Sequence, residues 1–191
     1  MGMYKYVRIL WKQPKDKLGE VWRDRLIKWR KEPATIRISK PTRIDKARAI
    51  GYKAKQGIIV VRQRLKRGGR MRPTIKSGRR PKHRRRLKVL HKNYQQIAEE
   101  RANRLFPNCE VLNSYYVAKD GIYIWYEVIL VDTSHPTVKA DKNLKWICEK
   151  QHKGRAYRGL TSAGRKSRGL RKKGKGSEKT RPSRRSNKRK I

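Results

Sequence analysis

Residues 111–132 read VLNSYYVAKDGIYIWYEVILVD, two runs of β-branched and aromatic residues joined at Asp120-Gly121. An Asp-Gly pair between two such runs predicts a β-hairpin, because these residues readily take up the backbone conformations of a tight turn. The second run is apolar on both faces: Ile124, Tyr126, Val128 and Leu130 alternate with Trp125, Ile129 and Val131. A half-solvated strand shows a polar residue at every second position, so this strand is expected to be central, or covered on both sides.

Elements to cover it lie upstream and downstream. Gly57-Ile58-Ile59-Val60-Val61 reads as another buried strand. A helix over about 92–105 is predicted to face the core with Ile97, Ala98, Ala102 and Leu105, leaving the adjacent Glu99 and Glu100 solvated. A short helical piece at about 136–148 carries Val138, Leu144, Trp146 and Ile147. Nearer the N-terminus, Met3, Tyr6, Val7, Leu10 and Trp11 form one helical stripe that Pro14 ends. Leu18, Val21, Trp22, Leu26 and Trp29 form a second, over about 18–32. Thr42-Arg43-Ile44-Asp45 has the pattern of a capping box opening a third helix, which Gly51 ends. The expected fold is α+β: N-terminal amphipathic helices in 1–41, then a domain over 42–149 with a small, mostly antiparallel sheet packed with helices.

Charge divides the chain differently. Its 191 residues hold 56 Lys and Arg against 14 Asp and Glu, a formal net charge of +42. The imbalance is local: 46–98 holds nineteen basic and no acidic residues, 150–191 holds eighteen and one (Glu178), and 99–149 holds six and eight. A solvated surface mixes signs, so these runs need negative charge from outside the polypeptide, and nucleic acid is its natural source. A long loop at 66–91 and an extension at 150–191, both punctuated by glycine, are therefore expected to order on a polyanion. The sheet domain is expected to stay folded when 153–191 are removed. Tyr4, Tyr52 and Tyr157, set among Lys and Arg, are candidates for stacking on bases, whereas the periodic tryptophans read as core.

Other chemistries find little support. Gly169-Leu-Arg-Lys-Lys-Gly174-Lys175-Gly176 imitates a phosphate-binding loop, but glycine stands where Ser or Thr would hold magnesium, and no apolar strand precedes it. Cys148 and His152 are spaced like metal ligands but lack a second close pair. No metal, cofactor, small-molecule substrate or enzymatic activity is expected. Two cysteines make no disulfide framework, and neither a membrane span nor a signal peptide is read, so a soluble intracellular protein is expected. A chromatin-type, DNA-compacting protein would share the charge and is the alternative.

Five stretches narrow the choice. RIDKARAIGYKAKQG (43–57), AEERANRLFPN (98–108), VLNSYYV (111–117), EVILVD (127–132) and RGLTSAGRKSRGL (158–170) closely resemble the archaeal and eukaryotic large-subunit ribosomal protein family L-fifteen-e. The ending KGKGSEKTRPS (173–183) looks archaeal, and Tyr116 departs from the family's Trp. The resemblance implies a structural component of the cytoplasmic large subunit, bound to 23S-type ribosomal RNA beside other ribosomal proteins. It further implies sugar-phosphate contacts from Lys53, Lys55 and Gln56 and from the stretch 62–88: Arg62, Arg64, Lys66, Arg67, Arg70, Arg72, Arg79, Arg80, Lys82, Arg84, Arg85 and Arg86. Arg155, Arg158, Thr161, Arg165, Lys166, Arg168 and Arg171 complete the set.

Overall fold

The hairpin forms as read, and it organises everything else. In the structure, a computed structural model that describes residues 2–172, 174–183, 186 and 187, its strands are β5 (Cys109–Lys119) and β6 (Tyr123–Asp132). The Asp120 carboxylate accepts the amides of Ile122 at 2.8 Å and Tyr123 at 2.5 Å, closing the turn. The upstream strands are β1 (Thr35–Ile38) and β2 (Ile58–Lys66), in a four-stranded sheet of order β1-β2-β6-β5, antiparallel throughout. β6 thus lies inside the sheet, and alternation along it serves two cores. Trp125, Ile129 and Val131 face one; Ile124, Val128 and Leu130 face the other.

The first core is roofed by the helices on either side of β1 and by the piece after the sheet. These are α1 (Met3–Leu10), α2 (Pro14–Lys31), α3 (Ile44–Ala49) and α5 (Pro136–Ala140), with a 3-10 turn at Lys145–Cys148. Trp11, Trp22, Trp29 and Trp125 form a file of rings with neighbouring centroids 5.7–6.3 Å apart, running from the α1 end down into the sheet. Edge-to-face and tilted pairs of this kind add about 0.5–1.5 kcal/mol each beyond the area they bury. The α2 stripe departs from expectation in two ways. Pro14 opens that helix instead of only ending α1, and Gly19, at φ +44°, breaks it near its start, leaving Val21 54% exposed.

The second core lies under α4 (Tyr94–Leu105). Its helix packs through Ala98 and Ala102, small enough to bring it close to the strands, but Leu105 is 60% exposed, against expectation. The loop from 66 to 91 closes on itself in a two-stranded ribbon, β3 (Arg70–Met71) with β4 (Leu87–Lys88). The basic segment after 150 does not leave the domain at once. Through a short helix, α6 (Ser162–Ser167), it runs across the α4 side and buries Ala156 and Ala163 there. Gly164 is required at that crossing, since a Cβ would sit 2.4 Å from the Gly159 Cα. Lys173, Arg184, Arg185 and 188–191 of the predicted extension lie outside the described residues.

Candidate nucleic-acid interface

Four of the scarce acids, Asp45, Glu99, Glu110 and Glu127, are buried. Glu127, on the Trp125 face of β6, is fully buried and accepts the Thr42 amide at 3.0 Å together with the Thr42 and Tyr115 hydroxyls. This overturns the capping-box expectation: the Thr42 hydroxyl goes to a strand 85 residues away, and α3 begins with no side-chain cap. Glu99, expected in solvent, is also fully buried, accepting the hydroxyls of Ser114 and, at 2.5 Å, Thr161. Burial pushes both carboxyls above their usual range, against the downward pull of these hydroxyls. Glu110 accepts the Gly154 amide at 2.8 Å. The signal for Glu99 was in the sequence: it adjoins Ala98 and precedes Ala102 by one helical turn, inside the helix's small-residue stripe.

Three residues expected on the nucleic-acid side are turned inward for the same reason. Arg62, 8% exposed, pairs with Glu32 at 2.5 Å and lies over the Trp29 ring at 4.6 Å. Arg155, also 8% exposed, donates to the carbonyls of Val111 and Leu112 at 2.5 and 3.0 Å and lies 4.9 Å over Trp146. Burial lowers its pKa, while Glu99 and Glu110 raise it. Thr161 is fully buried between Glu99 and the Gly164 amide, whose hydrogen bond caps α6. A phosphate cannot reach these side chains as they stand. Arg64 and Arg67 are partly engaged, Arg64 on the Arg30 carbonyl and the Tyr123 ring, Arg67 on the Asp120 carbonyl.

The remaining expected residues stand outside. Lys66, Arg70, Arg72, Arg79, Arg80, Lys82, Arg85 and Arg86 are exposed along the loop, and Arg84 folds back onto the Pro73 carbonyl. Among the described residues, no ion pair with a carboxylate reaches 66–91. Lys53 and Lys55 meet at Asp141, 3.2 and 2.9 Å from its Oδ2, and Gln56 is exposed beside them. The hydrogen bond from Lys55, then those from the Asn143 amide and Lys53, hold the Asp141 carboxyl well below its usual range. Asp141 was not singled out in the sequence; its lysines lie more than 80 residues away. On the other side, Arg158, Arg165, Lys166 and Arg171 are exposed and Arg168 is half-buried.

Among the described residues no three His, Cys, Asp or Glu side chains gather as metal ligands, and no helix is long and apolar enough to cross a membrane. The His152 ring packs edge-on against Trp146 at 4.8 Å. Burial pushes the Cys109 thiol up to about 11, so it packs as a neutral thiol.

A sheet domain that buries Glu99, Glu110 and Glu127 and presents exposed cations on a loop and a tail has the charge distribution of a polyanion-binding protein. The family model described as Ribosomal L15 matches residues 2–187. The chain is 55% identical over 183 residues to "Large ribosomal subunit protein eL15" of Methanocella arvoryzae, covering 94% of this chain and 93% of that one. It is 53% identical over 187 residues to the protein of the same name from Nanoarchaeum equitans, covering 98% of each. The chain belongs to this ribosomal family, the one its five stretches resemble.

Proposed function

We propose that the protein is a structural constituent of the large ribosomal subunit, acting in the cytoplasm, and that it binds and stabilises the folded large-subunit RNA beside neighbouring ribosomal proteins. The observation that carries the mechanism is the uncompensated loop: its exposed cations have no carboxylate within ion-pair distance among the described residues. Phosphates supply that charge, and release of their counterions drives association. Binding reads shape and backbone, as suits A-form RNA, whose deep groove excludes side chains. The contacting set is Lys53, Lys55, Gln56, the exposed cations of the loop, and Arg158, Arg165, Lys166, Arg168 and Arg171. Arg62, Arg155 and Thr161 act behind it, holding the elements that present it.

The role is structural rather than catalytic. Glu99 and Glu127, the buried carboxylates with raised pKa, are engaged by hydroxyls of the fold itself. The DNA-compacting alternative finds no support in the family. Titrating the full chain onto large-subunit RNA tests the mechanism: with six to ten phosphates neutralised, affinity falls on the order of 10³–10⁵ between 50 and 200 mM salt. An affinity indifferent to salt would overturn it.

A further inference from the structure

Between the start of α4 and the C-terminal segment lies a cavity of about 400 Å³, within the size range of small-ligand sites. Leu90, Leu170 and the Tyr157 ring give it apolar walls; Lys92, Arg158 and Arg168 bring cations to it. The ring is 44% exposed and anchored, its hydroxyl donating to the Glu100 carbonyl at 3.1 Å. Arg168 spends one nitrogen on the Gly159 carbonyl at 3.2 Å, and Arg158 spends one on the carbonyls of Gln151 and Lys153. Each guanidinium therefore keeps other donors for an anion. Lys92 is already paired with Glu100 at 2.9 Å. Gln96, also in the lining, is 5% exposed and its amide oxygen has no partner among the described residues, which leaves an acceptor for a ligand.

An inorganic anion would gain nothing from the apolar walls, and a duplex backbone cannot enter a cavity. The matching ligand pairs a flat apolar ring with a negative charge beside it. We propose that this cavity receives one unpaired nucleotide of the bound RNA, its base stacked on Tyr157 and its flanking phosphates on Arg158 and Arg168. Stacking of splayed bases on aromatic rings is the general route by which proteins recognise unpaired RNA. The site rests on the RNA-binding reading above and adds a preference that charge alone would not produce.

The test compares the full chain on two probes, a short single-stranded RNA and an RNA duplex of equal phosphate number. Tyr157→Ala weakens single-strand binding about tenfold and leaves duplex binding unchanged, while Tyr157→Phe keeps both. Irradiation of the wild-type complex with the single strand cross-links Tyr157 to a base, a readout independent of how Tyr157→Ala folds. Equal loss on both probes, no loss on the single strand, or cross-linked peptides lacking Tyr157 would overturn the nucleotide site and leave the ribosomal role standing. A wild-type chain that binds neither probe would overturn both.

Discussion

The loop at 66–91 and the segment at 150–169 are written in the same alphabet, Arg, Lys and Gly with few apolar side chains and no acid. The first reaches out from the sheet on a two-stranded ribbon and meets no carboxylate among the described residues. The second is fastened to the domain: Gly154 to Glu110, Thr161 to Glu99, Arg155 to the β5 carbonyls, and the Asn93 amide to the Ser167 hydroxyl at 3.2 Å. The difference lies in what the sheet domain offers, not in the segments themselves. Where α4 and β5 present Glu99 and Glu110, a basic run finds acceptors and folds; where no carboxylate is in reach among the described residues, the cations stay exposed.

Removing the loop should break the comparison most visibly. Replacing residues 70–86 with a neutral linker leaves thermal unfolding unchanged, since nothing in that stretch is buried. RNA affinity falls by on the order of 10³ or more at low salt, and the slope of log affinity against log salt drops by about 0.7–0.9 for each phosphate no longer neutralised. Unfolding and salt titrations on the same protein measure both. A loop deletion that destabilised the domain but left the slope intact would invert the assignment.

How far this was legible follows from the range of each interaction. The β5–β6 hairpin could be read because its turn and alternation are local, and β6 announced its place by having no polar face. The packing of Ala98 and Ala102 could be read for the same reason, while Leu105 at the helix end could not, because nothing covers it. Thr42 was misread because its partner, Glu127, lies 85 residues on, and Thr161 because Glu99 lies 62 residues back. Charge composition singles out the loop and the extension as wholes, but it could not tell Arg79 from Arg155, since burial depends on which carboxylates and carbonyls the fold brings near.

The next largest effect falls on stability. Truncation after residue 152 strips Glu99 of Thr161 and Arg155 and strips Glu110 of Gly154. Glu99 keeps the Ser114 hydroxyl, but a buried hydrogen-bonding group left unsatisfied costs about 1–3 kcal/mol, so the domain loses a measurable part of its margin in a denaturant titration. Truncation after 172 spares those bonds and leaves the unfolding midpoint in place. This reverses the expectation that the sheet domain is indifferent to everything beyond 153. Equal midpoints for the two truncations would restore it.

Glu99→Gln sharpens the point through pH. The folded-state pKa of Glu99 is raised, chiefly by burial, so the native state holds a proton that the unfolded chain releases near the ordinary value of 4.5. Between those two pKa values the native state binds more protons, and stability falls as pH rises, by at most about 1.4 kcal/mol per pH unit from this group. Below the window the glutamic acid is neutral and resembles glutamine; above it the buried charge carries its full cost. The stability of Glu99→Gln relative to wild type should therefore improve as pH is raised above the ordinary value of 4.5 and level off once the folded-state pKa is passed, measured by urea unfolding at each pH. Using the difference cancels the opposite trend from Asp141, whose lowered pKa makes it stabilising above its unfolded value, an effect that disappears on acidification. A difference that stayed flat would mean the burial penalty is already offset by the two hydroxyls.

The smallest effect separates two arginines. Arg79 is exposed on the loop with no side-chain partner among the described residues, whereas Arg155 is buried among carbonyls, its pKa lowered by that burial against the pull of the nearby Glu99 and Glu110. Arg79→Ala should change unfolding free energy by no more than about 0.5 kcal/mol, as surface substitutions do. Its RNA affinity should weaken almost equally across sequences, with the salt slope reduced by about 0.7–0.9, the signature of a single neutralised phosphate. Arg155→Ala should do the reverse: destabilise the domain, because β5 carbonyls and two carboxylates lose a buried cation, while leaving the salt slope of the folded fraction alone. If the two substitutions gave the same pair of readings, burial would not be what divides the basic residues into holders and binders.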